Sequence, residues 1–351
     1  MISFTLFFII TIISFLCCLT IVKTKKFHIH LTGDSISGPQ KIHVEAIPRV
    51  GGIGIFITLI ISSFLFNDLL ILMKLLSILI IISLPVVLIG LAEDLYKDIS
   101  ILIRLLTSII VGIISFYYFE VSVSKTNLSF IDQYLSFFEL IPFLTIFFFA
   151  GSINSINLID GVNGLAGVTT VIILLTLSKL AYMNDDYSNY YFSYLVIASI
   201  LGFLLINWFT GSIFLGDAGA YLLGVILAFI TCQILLKNSL SFFNILTLFA
   251  YPIWEITNSI IRRLYSNKKI ISADNKHLHS LIYILVKNRF KKQKYFIKNC
   301  LPTIFLLPLI LIGPVSSLFF YQKPQLLVFS FLLIYIFTSL FYINLYNKLK
   351  K

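Results

Sequence analysis

Charge is scarce in this sequence. Asp, Glu, Lys and Arg make up 12% of its 351 residues, against about 25% in an ordinary soluble domain. A soluble fold of this size would have no surface on which to place 34 Phe and 59% hydrophobic residues, so that class is excluded. Cysteine is equally thin, with Cys17, Cys18, Cys232 and Cys300 alone. They form no C-x-x-C pair and have no His at metal spacing, which indicates neither a disulfide framework nor a zinc site. Acids are few too, 15 against 26 Lys and Arg. The resulting net charge of +11 suits an anionic bilayer surface and an anionic substrate. Nucleic acid is a poor fit, because the basic residues are tied to the ends of apolar runs. No internal repeat, heptad pattern or low-complexity linker stands out, so residues 1–351 read as one integral membrane domain. The first run lacks a basic n-region and a small-residue cleavage site, and reads as a spanning helix instead of a signal peptide.

What is present is a succession of apolar runs of about spanning length. Eleven can be marked, at 2–22, 50–66, 72–92, 101–120, 136–153, 163–180, 192–208, 214–236, 242–262, 301–321 and 325–346. The expected fold is all-α, a polytopic membrane protein of about eleven transmembrane helices. The connections alternate in charge. Of the 26 Lys and Arg, 21 fall in one alternating set, including the basic loop 263–300 and the tail, and 5 fall in the other. The positive-inside rule places the first set in the cytoplasm, with the N-terminus outside and the C-terminus inside.

Four polar clusters interrupt the oily chain, and all fall in that basic set of connections. Ionisable residues at span ends are costly to keep and call for a reason. Glu93-Asp94 closes the third run; adjacent carboxylates on a helix point about 100° apart, so one can act while the other orients it. The stretch Gly151–Gly167 carries Asn154, Asn157, Asp160 and Asn163 three residues apart, which would stack on one helical face. Its glycines let backbone amides approach a phosphate or a base. Asn207 ends the seventh run, and Gly216-Asp217 opens the eighth, where a helix N-terminus tolerates negative charge. Asp274, His277 and His279 lie in the long basic loop, where the histidines and Lys276 could bind a diphosphate. Before the second run, Lys41 and Arg49 flank Ile47-Pro48 and Gly51-Gly52; a basic residue there could meet phosphate or anchor the membrane end. Acids gathered at one membrane face suggest a site for a metal and a phosphorylated substrate, since Mg²⁺ takes one or two carboxylates plus phosphate oxygens and water.

These motifs, in this order over about residues 35–290, resemble the polyprenyl-phosphate N-acetylhexosamine-1-phosphate transferases. That family includes the bacterial enzymes that move GlcNAc-1-phosphate or phospho-MurNAc-pentapeptide from a UDP-sugar to undecaprenyl phosphate. The resemblance implies a bundle of ten or eleven spanning helices with a cytoplasmic catalytic cleft, in the bacterial inner membrane. It implies that Asp94 binds or deprotonates the lipid phosphate beside Glu93, and that Asp217 is the main Mg²⁺ carboxylate. Mn²⁺ is an option in its place. It implies that Asn157 and Asp160 line the uridine and catalytic region, with Asn163 in the same stretch and Asn207 on the nucleotide side. His277 and His279 would recognise the diphosphate and sugar, and Lys41 would lie near the phosphates.

Three residues depart from the common pattern. Glu93 stands for Asp, Asn163 stands for a second Asp, and Ser280 stands for a third His. The implied activity is transfer of an N-acetylhexosamine-1-phosphate, with GlcNAc foremost, from a UDP-sugar to undecaprenyl phosphate. UMP is released, and the step opens a cell-surface polysaccharide, an O-antigen or a cell-wall glycan. A homodimer is one option for the assembly. The rival class is a multi-span secondary transporter, but transporter sites lie near the bilayer midplane and often in inverted repeats.

Overall fold

The computed structural model describes residues 4–33, 46–65, 70–137, 139–265, 276–291 and 295–350. Within them the chain is helical throughout, and the sole extended pairing among the described residues is an isolated bridge between Gly33 and Pro48. The helices are α1 (Phe4–Lys23), α2 (Lys25–Thr32), α3 (Gly51–Leu65), α4 (Leu70–Tyr96), α5 (Ile101–Phe119), α6 (Ser129–Phe137), α7 (Ile141–Ile159) and α8 (Leu165–Met183). They continue with α9 (Tyr187–Thr210), α10 (Gly216–Lys237), α11 (Phe243–Leu248), α12 (Ala250–Tyr265), α13 (Leu278–Arg289), α14 (Tyr295–Phe320) and α15 (Pro324–Lys350). Nine helices among the described residues are long and apolar enough to cross a membrane, and α3 is a shorter apolar helix. The protein is a multi-pass α-helical membrane protein.

Two expected runs differ in detail. The run at 242–262 is not one helix but two, α11 and α12, separated at Phe249. Asn244 anchors the start of α11 by donating its amide to the Ser241 and Tyr321 carbonyls at 3.0 and 3.1 Å. Pro252, which has no N–H to give, is tolerated in the first turn of α12. The run at 136–153 begins later, at Ile141, after the separate surface helix α6, and continues to Ile159. That extension carries Asn154 and Asn157 into the last turns of α7 and leaves Asp160 as its C-cap.

Helix α10 is the centre of the bundle, buried along nearly its whole length. It packs on α4, α7, α3 and α8. Small residues let these neighbours come close, as usual where lipid provides no hydrophobic drive between helices. Gly52 of α3 meets Gly219 of α10 backbone to backbone, leaving no room for a side chain. Ser152 of α7 donates to the Gly224 carbonyl at 2.8 Å. The outer helices α1, α5 and α15 turn rows of Phe, Leu and Ile outward, as a lipid-facing surface requires.

The bundle has two distinct ends. At one, Lys237 pairs with buried Asp186 at 2.5 Å, and the Phe242 N–H donates to the Lys125 carbonyl at 2.7 Å. The other end gathers the C-termini of α4, α7 and α9 with the N-termini of α3, α5 and α10, and it holds the polar clusters.

Candidate active site

The site is built where α4 delivers Asp94 to the start of α10. The first amides of a helix have no partner within it. Asp94, wholly buried, accepts the N–H groups of Asp217 at 2.9 Å and Ala218 at 3.1 Å. A carboxylate from another helix thus caps α10, and its charge suits the positive end of the helix dipole. Gly216 makes this approach possible. Its φ is +77°, and a Cβ there would collide with the Arg49 carbonyl and stand 2.6 Å from Asp94 Oδ2.

Capping sets the direction of the Asp217 side chain, which collects three donors. Asn157 Nδ2 donates to Oδ1 at 3.0 Å, Arg49 Nη2 lies 3.4 Å from the same oxygen, and Arg104 Nη1 lies 3.2 Å from Oδ2. Arg49 also reaches Asp94 at 3.7 Å, and Arg104 reaches Glu93 at 3.5 Å. Glu93 accepts the Ile99 N–H at 2.8 Å, closing the turn between α4 and α5. Arg49 is fixed by the chain around it. The Phe214 N–H donates to the Pro48 carbonyl at 2.8 Å, and the Gly51 and Gly52 N–H groups donate to the Phe214 and Leu215 carbonyls at 2.9 Å. Two arginines and three carboxylates therefore interlock within one cleft. Arginine is suited to planar, bidentate recognition of phosphate.

Asp160 joins the cleft from the end of α7. Burial pushes its carboxyl from 3.8 up to about 7; Arg49 opposes the rise and Asp217 adds to it.

Of the remaining expected residues, Asn163 is buried in the turn that follows α7, and Asn207 is buried near the end of α9, against that turn. Asn207 accepts the Gly164 N–H and donates to the Ile213 carbonyl, both at 2.8 Å. The Asn163 carbonyl accepts from Thr303 at 2.7 Å, while its side-chain amide nitrogen is buried beside Gly211 without a hydrogen bond. Lys41 and Asp274 lie outside the described residues.

The two histidines stand on the other side of Gly161, against which His279 Nε2 packs. Their rings are stacked, with centroids 5.3 Å apart and planes 2° from parallel. Both turn Nδ1 toward Glu255 of α12, at 3.3 Å for His277 and 3.4 Å for His279. Burial pushes the His279 ring pKa down, against the pull of Glu255. The loop is also tied to α15. Tyr342 donates to the Lys276 carbonyl at 3.0 Å, Lys276 donates to the Tyr346 hydroxyl at 3.1 Å, and Arg262 donates to Tyr342 at 3.0 Å.

Arg104 and Glu255 are absent from the sequence-based site. Arg104 reads there as one of many basic membrane-end residues. Glu255 is a lone acid in an apolar run, and its partners in the histidine loop lie more than 20 residues on.

An acid–arginine cleft at one end of a polytopic helical bundle is an arrangement suited to phosphorylated groups. Residues 75–235 match the sequence model of glycosyl transferase family 4. The chain is 28% identical over 298 residues to a probable undecaprenyl-phosphate N-acetylglucosaminyl 1-phosphate transferase of Bacillus subtilis, covering 80% of this chain and 77% of the relative. It is 28% identical over 246 residues to an undecaprenyl-phosphate alpha-N-acetylglucosaminyl 1-phosphate transferase of Thermotoga maritima, covering 68% and 69%. These matches make the chain similar to glycosyl transferase family 4 and to the undecaprenyl-phosphate sugar-phosphate transferases.

Proposed function

We propose that the protein transfers an N-acetylhexosamine-1-phosphate, foremost GlcNAc-1-phosphate, from a UDP-sugar to undecaprenyl phosphate. The step releases UMP at the cytoplasmic face and opens the synthesis of a cell-surface polysaccharide. The observation that carries this reading is the cleft in which Asp94 fixes Asp217 between Arg49 and Arg104.

A phosphate oxygen of the lipid attacks the β-phosphorus of the donor. The bond from that phosphorus to the bridging oxygen breaks, and UMP leaves with that oxygen. Phosphoryl transfer asks chiefly for positioning and charge stabilisation. Arg49 and Arg104, partly exposed in the cleft, can turn from Asp217 to phosphate oxygens. Asp94, with both oxygens on backbone amides, acts as an orienting group and not as a base. Among the described residues no three His, Cys, Asp or Glu side chains cluster at metal distance. The Asp217 carboxylate nevertheless offers hard oxygen in the cleft, which fits Mg²⁺, an ion held by one or two carboxylates together with phosphate oxygens and water. Asp217 would be its main protein ligand, with phosphate and water completing the shell; when bound, Mg²⁺ neutralises charge on the diphosphate.

The test is direct. Membranes holding the protein are given undecaprenyl phosphate, Mg²⁺ and labelled UDP-GlcNAc, and lipid-linked label and UMP are measured. Stoichiometric formation of both is expected, lost in Asp217→Ala. Uptake of label without a lipid product would favour transport and sink the proposal. A panel of UDP-sugars in the same assay identifies the donor.

A further inference from the structure

Glu255 is a wholly buried carboxylate that the reaction as written does not use. Its Oε1 accepts the Leu278 N–H and the Tyr251 hydroxyl, both at 3.1 Å. Those two bonds are sufficient to dock the loop backbone on α12. Yet the same carboxylate also faces Nδ1 of His277 through Oε2 and Nδ1 of His279 through Oε1. Both rings turn the Nδ1 edge toward Glu255 and lie stacked with nearly parallel planes. Both Nε2 edges therefore face the opposite way, and that of His279 lies on Gly161, next to Asp160.

A carboxylate accepts hydrogen bonds and donates none, so an imidazole held by it through Nδ1 carries its proton there. The hydrogen bond at one ring nitrogen sets the state of the other. We propose that Glu255 is a positioning residue: it locks the proton of His277 on Nδ1 through a hydrogen bond, and its charge, 3.4 Å from the buried His279 Nδ1, which has no hydrogen-bond partner, biases that ring the same way, so that both Nε2 atoms are presented to the UDP-sugar. In that state a neutral ring offers Nε2 as an acceptor to a sugar or ribose hydroxyl. A protonated ring offers it as a donor to a phosphate oxygen, with Glu255 as its counter-charge. The inference rests on the proposed transfer reaction.

Two sets of variants test it. Glu255→Gln keeps an oxygen for Leu278 and Tyr251 but turns an amide donor toward His277 Nδ1, reversing that ring's tautomer. The KM for UDP-GlcNAc is expected to rise about 10- to 100-fold, the usual scale for a group that orients a working histidine. The KM for undecaprenyl phosphate should stay as in the wild type, a split that mere loosening of the fold would not give. In the second set each histidine is replaced by Asn, whose amide nitrogen takes the place of the Nδ1 donor, and by Gln, whose longer amide reaches the place of Nε2 and can turn either its oxygen or its nitrogen there. Transfer should survive better in the Gln variant at both positions, and thermal stability better in the Asn variant.

An unchanged donor KM in Glu255→Gln overturns the inference. So does an Asn variant at least as active as the Gln variant at either position. If Glu255→Gln does not accumulate in membranes, the Asn and Gln comparison alone decides. Wild-type membranes that transfer no label overturn the proposed function and this inference together. Wild-type transfer with an unaltered Glu255→Gln overturns the inference alone.

Discussion

Replacing Asp94 by Asn separates a carboxylate that holds the site from one that moves a proton. The side chain keeps its size and burial but loses one acceptor oxygen. Asp94 accepts two amides, one on each oxygen. Asn can keep one of these bonds; at the other, its NH₂ faces a backbone N–H, and two donors meet. A hydrogen bond to a charged group contributes about 1.5–3 kcal/mol. At about 1.4 kcal/mol per factor of ten, opening of the first turn of α10 becomes about 10- to 100-fold easier. Hydrogen exchange of the protein in nanodiscs should therefore accelerate by that factor in the peptide holding Asp217 and Ala218. Peptides from the far half of α10 should be unchanged. Transfer should fall about 100-fold, as expected when a reacting group shifts by about 1 Å. Lost transfer with unaltered exchange at Asp217 and Ala218 would refute the reasoning and return Asp94 to the role of a base.

Three further outcomes are expected. The unfolded chain releases the Asp160 proton near 3.8, whereas the folded chain keeps it to about 7. The folded state thus binds more protons between these values, and this group's contribution to stability is lost as pH rises through that window. Asp160→Asn should flatten the fall in thermal midpoint between pH 4 and 7, measured without added metal. Gly216→Ala forces a side chain into a positive-φ position against the Arg49 carbonyl and Asp94, so it should abolish transfer; a normally active variant would contradict the described backbone. Arg104→Lys keeps a charge but loses the guanidinium that spans Glu93 and Asp217, and should reduce kcat/KM about ten-fold, with Arg104→Ala lower still.

The fold is largely legible in the sequence because spanning helices announce themselves by composition and length. The break at Phe249 is less so: Pro252 cannot give an N–H to the Leu248 carbonyl, but the run around it is otherwise long and apolar and reads as one span. Asp94, Asp217, Glu93 and Asn157 stand out as polar residues in an oily chain, and the structure brings them together. Arg49 and Arg104 are harder to read. The charge bias that orients a membrane protein fills one end with Lys and Arg, and an arginine in a site looks like one at the headgroups. Asn207 shows the converse difficulty: an amide that serves backbone groups looks, in sequence, like one aimed at a ligand. Glu255 leaves no local signal of a site, because its histidine-loop partners come from another element.

The tie between α15 and the histidine loop has a consequence in time. Membrane helices are made in order, and early segments begin to fold before later ones exist. The acid–arginine cleft draws on Asp94, Asn157 and Asp217, all synthesised before α15. Tyr342 and Tyr346, which hold Lys276 beside the histidines, leave the ribosome after every other described helix. A nascent chain can thus assemble its charged cleft while the histidine pair is still unmoored. The last helix to arrive then sets the loop in register, so that catalytic competence waits on synthesis of α15.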